Sequence, residues 1–301
     1  MIAIETNDLK KAYGKTAVLK GISLQIKKGE IFGFLGRNGA GKSTFINIMT
    51  GIANQSSGSF SILGAGGHRN ETKKKIGVMP DYSTFYENLS AVDHLRFFSD
   101  LSGNPASKEQ CIEVLKSVGL HEHVRKKTKK YSFGMKKKLG IAQAIIHDPE
   151  LLFLDEPTSG LDAESVIHIQ KLIFSLQKQG KTIFMTSHNL DEVEKICTRV
   201  AIMREGLIIK CGTMDELKSF YRSTMIVKMK HSPISPSGRE TLKKWLKGAG
   251  TDLIMKDQSL SITVSSEKKI AEIIRALNQS KVDVYGVHVE EPSLQDIFME
   301  A

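Results

Sequence analysis

Residues 31 to 52 read IFGFLGRNGAGKSTFINIMTGI: an apolar run, a glycine-rich turn and a helical pattern in direct succession. No other feature constrains the fold as much. A strand that runs into a tight loop and then a helix belongs in a sheet that places ligands at the carboxyl ends of its strands. Residues 36 to 44, GRNGAGKST, satisfy G-x-x-x-x-G-K-[ST]. Gly36, Gly39 and Gly41 let the backbone wrap closely around a phosphate and tolerate positive φ, so that successive N–H groups and the helix N-terminus face the anion. Lys42 adds a full positive charge, and Ser43 offers a hydroxyl to Mg²⁺. The candidate phosphate-binding residues are therefore Gly36, Arg37, Asn38, Gly39, Ala40, Gly41, Lys42, Ser43 and Thr44.

A loop of this kind needs an acidic partner. In YSFGMKKKLGIAQAIIHDPELLFLDEPTSGLD (131 to 162) the apolar run LLFL ends in Asp155 and Glu156. Such a run reads as a buried parallel strand that delivers its acids to the sheet edge. Asp155 is placed to hold the water shell of Mg²⁺, which leaves Glu156 to act as a base. Taken alone, the two acids would also suit a solvated strand end. The loop decides between these readings.

On these motifs the chain resembles the nucleotide-binding subunit of an ATP-binding cassette (ABC) transporter over about residues 1 to 220. The resemblance implies roles for further residues. Tyr13, in LKKAYGKTAVL, matches the aromatic that stacks on adenine. Ser132 and Gly134 match the signature motif, which binds the γ-phosphate of ATP held by the other subunit of a dimer, and Gly160 and Asp162 match the loop that crosses that interface. His188, in TIFMTSH, matches the switch histidine, so Lys42, Glu156 and His188 form the implied catalytic set. Two positions depart from the family pattern. Phe133 stands where the signature has its first glycine, with Met135 in place of a polar residue, and Asp81, in KKIGVMPDYSTFYENLS, stands where the family has glutamine. An ionised aspartate only accepts hydrogen bonds. Asp81 thus joins Ser43 and Asp155 as a candidate group for Mg²⁺ or its water.

Composition is compatible with this placement. The 301-residue chain is long enough for two domains and carries a net charge of +10. It has no apolar run of about 18 residues, and its beginning, MIAIETNDLKKAYG, lacks a basic-then-apolar signal pattern, so a cytosolic chain is expected. Cys111, Cys197 and Cys211 are far apart and odd in number, which argues against a disulfide framework and against a thiolate metal site. The basic clusters RKKTKK (125 to 130) and KKK (136 to 138) read first as a solvated helical face, next as a surface facing anionic lipid, and last as a nucleic-acid site. The HEH at 121 to 123 reads as surface, since i and i+2 point different ways on a helix.

Residues 2 to 35 alternate apolar and polar side chains and read as an antiparallel β layer over the adenine end. Residues 89 to 147 lack strand signals and read as helical, and the helical subdomain is set at about 82 to 135. In the family this subdomain receives the membrane subunit, which makes Phe85, Tyr86 and Leu89 candidates for docking or for plain core. A helix at about 163 to 179 and strands at 182 to 187 and 199 to 204 follow. The domains are set at 1–221, nucleotide-binding, and 222–301, accessory. The tail reads strand, helix, strand, strand, helix, strand, the order of a split βαβ, ferredoxin-like unit, with 231 to 238 as its first loop. Its close, EPSLQDIFME, resembles the end of the cytosolic ATPases of type-two ABC exporters.

The expected fold is therefore α/β: a P-loop NTPase of the ABC ATPase type with an antiparallel layer and a helical subdomain, plus a small α+β domain. The resemblance implies an ATP-binding and ATP-hydrolysing exporter subunit. Its cofactors would be ATP and Mg²⁺, with two ATP sandwiched in a homodimer or a pair with a closely related ATPase. A separate transmembrane permease would be driven by it, holding the chain at the inner face of the cell membrane, and no nucleic-acid partner is expected. The rivals are an importer ATPase with a regulatory tail and a soluble ABC ATPase acting on ribosomes or nucleic acid. The latter kind usually carries two cassettes or a coiled-coil insertion, and neither is visible here. The cargo is not written in this chain.

Overall fold

Continuity and alternation of apolar residues separate the strands into two kinds. The computed structural model describes residues 1–81, 84–221 and 225–290 and divides the chain into compact units Met1–Thr213 and Met214–Ala301. The ending at 291 to 300, which carries the exporter resemblance, lies outside the described residues.

In the first unit, β1 (Ile2–Tyr13) and β2 (Thr16–Lys27) form an antiparallel pair, with burial alternating over the second half of β2 and register shifts interrupting the pattern in β1. Then β3 (Ile31–Gly36), buried at every position, runs into α1 (Lys42–Met49). β4 (Ser57–Ile62) and β5 (Ala65–Gly66) complete an antiparallel sheet of order β2-β1-β4-β5. The antiparallel layer expected from 2 to 35 is thus corrected at its end. Ile31–Gly36 leaves it for the central sheet, because a run of apolar residues on both faces can only be buried between layers.

A short α2 (Asn70–Lys73) leads to β6 (Ile76–Met79), and the helical region follows with α3 (Ala91–Leu101), α4 (Lys108–Ser117) and α5 (Phe133–Ile145). Each has a serine N-cap: Ser90 accepts from Asp93 N, Ser107 closes a capping box with Gln110, and Ser132 accepts from Met135 N. The HEH segment is a short 3₁₀ turn, and it forms no group of three or more His, Cys, Asp or Glu side chains placed to hold a metal ion with other described residues. Phe85, Tyr86, His94, Phe97 and Phe98 form an aromatic cluster, with Tyr86 and Phe97 reaching the surface.

The unit closes with β7 (Leu151–Asp155), α6 (Ala163–Lys178), β8 (Thr182–Ser187), α7 (Leu190–Ile196), β9 (Arg199–Arg204) and β10 (Leu207–Thr213). The central sheet has order β10-β9-β3-β8-β7-β6, parallel except for the β9–β10 hairpin. Phe34, Phe45, Phe153 and Phe184 are fully buried beside it, with Phe34 and Phe45 centroids 5.0 Å apart and Phe153 and Phe184 5.4 Å apart. This rigid core sets where the carboxyl ends of β3, β7 and β8 lie.

The second unit contains α8 (Met214–Tyr221), β11 (Met225–His231), α9 (Pro236–Ala249), β12 (Thr251–Met255), β13 (Ser259–Val264), α10 (Glu267–Gln279) and β14 (Val284–Glu290). Its antiparallel sheet has order β12-β13-β11-β14, the ferredoxin-like arrangement. Val227, Met229, Leu242, Leu246, Ile262, Ile273 and Leu277 make a separate core.

Candidate active site

The loop after β3 owes its shape to its glycines. Gly39 has φ 82°, with nothing within 4 Å of an added Cβ, so backbone conformation alone demands glycine there. Gly41 has φ 111° and also faces crowding, since a Cβ would lie 2.8 Å from Met203 Cε and 2.9 Å from Leu19 Cδ2. It caps α1, whose first N–H groups have no intrahelical acceptor and point toward the loop. The buried Lys42 ammonium donates to the carbonyls of Gly36 at 2.6 Å and Arg37 at 3.4 Å. Burial pulls its pKa down, opposed by the charges of Glu156, Asp155 and Asp81.

Those acids arrive from two strand ends. Ser43 Oγ donates to Asp155 Oδ2 at 3.1 Å, which joins the loop to β7. The parallel register sets Asp155 beside Thr186 of β8, and Thr186 Oγ1 donates to Asp155 Oδ1 while accepting from Glu156 N at 3.0 Å. Glu156 has φ 52°, a left-handed conformation that costs a residue with a side chain about 1–3 kcal/mol. Its Oε2 lies 2.8 Å from His188 Nδ1.

Asp81, just past β6, does not stand alone. Its Oδ1 accepts from Lys137 Nζ at 2.7 Å, and the same ammonium donates to the Glu156 carbonyl at 2.9 Å. Lys137 is 4 % exposed, which corrects the reading of a solvated face at this residue, while Lys136 and Lys138 beside it are partly exposed. The physical reason is helical: Lys137, Gly140, Ile141 and Ala144 share the buried side of α5.

A second group lies at the starts of α5 and α6. Ser132 caps α5, and the half-exposed Phe133 packs on Gly160, where a Cβ would fall 2.5 Å from the ring. A Cβ on Gly134 would lie 3.2 Å from Leu161 Cδ2. Asp162 caps α6 by accepting from Ser165 N at 2.9 Å and Ser165 Oγ at 2.8 Å, and the first of these bonds leads in holding its carboxyl below the usual range. Tyr13, at the end of β1, is 51 % exposed, with the Lys11 ammonium 4.7 Å from its ring centroid.

The structure therefore brings Lys42, Ser43, Asp81, Asp155, Glu156 and His188 together, and sets Ser132, Gly134, Gly160 and Asp162 in a separate group. Thr186 and Lys137 escaped the sequence reading. The hydroxyl in an otherwise apolar TIFMTS run and the stripe on α5 were the available signals.

Comparison with known proteins decides the family. The family described as ABC transporter matches residues 19–159, and that described as ATP-binding protein DrrA1-3-like, C-terminal domain, matches residues 212–301. The linearmycin resistance ATP-binding protein LnrL of Bacillus subtilis is 34% identical over 98% of this chain and 97% of its own length. The chain belongs to the ABC transporter family. The bacitracin transport ATP-binding protein BcrA of Enterococcus faecalis is 35% identical, over 98% of this chain and 94% of its own. A solved ATP-binding subunit of an ABC transporter is 27% identical with a TM-score of 0.66, covering 73% of this chain and 93% of that one. A dimeric, post-hydrolysis cassette bound to ADP and phosphate shares the fold at 23% identity and a TM-score of 0.66, over 70% of this chain and 98% of that one. This ABC ATPase is an ATP-binding and ATP-hydrolysing transport subunit. None of its described helices is long and apolar enough to cross a membrane.

Proposed function

We propose that the two groups of residues are half-sites, and that ATP is sandwiched between the loop and strand ends of one subunit and the α5 start of the facing one. The observation that carries this reading is the meeting of Ser43 with Asp155 and of Glu156 with His188 at one sheet edge beside Lys42.

The residues suit Mg-ATP. Ser43, Asp155 and Asp81 offer only oxygen, the donor set a hard divalent cation takes, and Asp155 already shares a hydrogen bond with the loop serine. When bound, Mg²⁺ supplies neutralisation of the phosphate charge. The loop from Gly36 to Thr44 holds the phosphates through its N–H groups, with Lys42 turning from the carbonyls of Gly36 and Arg37 to meet them. Glu156 orients the attacking water and takes its proton, and His188 keeps the Glu156 carboxylate aimed. Tyr13 offers adenine the free portion of its ring. Ser132, Gly134, Gly160 and Asp162 serve the nucleotide of the partner, either a second copy or a related ATPase.

Opening and closing of that dimer drives a separate permease, which holds this chain at the inner face of the membrane. Export is the favoured direction, and an antimicrobial compound the favoured cargo. The support is the naming of relatives for linearmycin resistance, bacitracin transport and lantibiotic transport. The nucleotide-binding domain runs to about 213–221, and the rest is an accessory domain.

Glu156→Gln is expected to bind Mg-ATP and dimerise while turnover falls about 10²–10⁴-fold, as measured by phosphate release and size-exclusion chromatography. Wild-type turnover in that variant would remove Glu156 from its role. Purification with a membrane subunit tests the transport reading, and co-sedimentation with ribosomes instead would overturn it.

A further inference from the structure

Glu156 is held from both sides of its peptide in a conformation its side chain disfavours. Its N–H donates to Thr186 Oγ1 at 3.0 Å, and its carbonyl accepts from Lys137 Nζ at 2.9 Å and from Ser159 N at 3.3 Å. The φ of 52° fixes the direction in which the carboxylate leaves the strand. Without the cation on the carbonyl, only the longer bond from Ser159 N and the bond to Thr186 Oγ1 hold the backbone against relaxation toward ordinary extended geometry. Lys137 is therefore well placed to control the aim of the base without touching the reacting atoms.

The ammonium has a second bond. Its side chain is 3% exposed and lies 2.7 Å from Asp81, whose own side chain is 33% exposed. A lone buried ammonium would be strongly disfavoured, and Asp81 is the countercharge that permits it. One carboxylate oxygen of Asp81 is thereby committed, while its charge still acts on Lys42. Lys137 also belongs to α5, which Ser132 caps. A single ammonium joins the segment after β6, the end of β7 and the helix that carries the half-site for the facing nucleotide.

We propose that Lys137 is a positioning residue for hydrolysis: its ammonium, balanced by Asp81, holds the Glu156 peptide so that the base is aimed, and links that base to the helix capped by Ser132. The proposal rests on the reading of Glu156 as the base, and the Glu156→Gln variant tests that reading separately.

The test compares Lys137→Gln, Lys137→Arg, Asp81→Asn and the double variant Asp81→Asn/Lys137→Gln in the full chain. Lys137→Gln should lower kcat about 10–100-fold with little change in the KM for Mg-ATP, the size of effect seen when a group supporting a metal site is removed. Lys137→Arg should recover part of that loss, since the charge remains but the donor geometry changes. Asp81→Asn should lower the melting temperature because it strands a buried charge, and the double variant should recover the melting temperature while remaining slow. In the nucleotide-free protein, amide exchange at Glu156 and Ser159 should rise about tenfold in Lys137→Gln, as expected of local opening. A double variant with wild-type kcat would reduce the pair to a structural ion pair and overturn the proposal. So would a loss in Lys137→Gln that appears entirely in KM, or unchanged amide exchange. If Glu156→Gln turns over normally, the reading of the base fails instead.

Discussion

The central parallel strands of the first unit and the first strand of the second unit's sheet treat polar residues in opposite ways. In β7 and β8 every position is buried, from Leu151 to Asp155 and from Thr182 to Ser187. In β11 burial alternates residue by residue, so Lys228 and Lys230 fall on the open face between Val227, Met229 and His231. A polar side chain on an alternating strand needs no explanation beyond solvent. On a strand buried throughout it needs a partner, and Asp155 and Thr186 have one in each other. The contrast sorts functional candidates from ordinary surface.

The comparison breaks most severely in the core of the parallel sheet. Phe153→Ala is expected to destabilise the first unit by about 3–5 kcal/mol in denaturant unfolding, because Phe153 is fully buried against Phe184. A smaller change tests the polar half. Thr186→Val keeps the shape but strands Asp155 Oδ1 and Glu156 N, which should cost about 1–3 kcal/mol and lower turnover in the same preparation. Wild-type activity in that variant would mean that the hydroxyl serves packing alone.

A pH series adds a third measurement. His94 is fully buried, donates from Nε2 to Gln143 Oε1 at 2.9 Å, and has no hydrogen-bond partner at Nδ1 among the described residues. Burial pulls its pKa below 6.5, outweighing the bond to Gln143. The unfolded chain therefore takes up the proton first. Its contribution to stability should be constant above pH 6.5 and fall as pH drops from there toward the folded value, while His94→Gln should flatten that slope. At the small end, Lys228→Thr on the open face of β11 should shift stability by no more than about 1 kcal/mol, even though Lys228 lies 2.6 Å from Glu290.

Much of this was legible beforehand, for identifiable reasons. The loop at 36 to 44 needs glycine for its backbone and lysine and serine for its charge and hydroxyl, so composition and spacing announce it. The strand ending at Asp155 and the βαββαβ order of the tail are equally local signals. Less local facts stayed hidden. The addition of β4 to the antiparallel layer depends on pairing across the chain, Thr6 with Phe60 and Asn7 with Ser59. The burial of Lys137 contradicts the ordinary habit of lysine and follows from Asp81, which is distant in sequence. Thr186 is an ordinary strand residue until the register with Asp155 is known.

Phe133 and Gly160 carry a different kind of consequence. The ring occupies the space that a side chain at 160 would need, and the φ of 75° at Gly160 is one that residues with a side chain rarely adopt, so position 160 is closed to other residues on two counts. A chimera that took its α5 start from this chain and the loop before α6 from one with alanine at 160 would meet a clash within its own chain before it ever met a partner. A crossover between 133 and 160 is therefore open only to a partner sequence that also has glycine at 160.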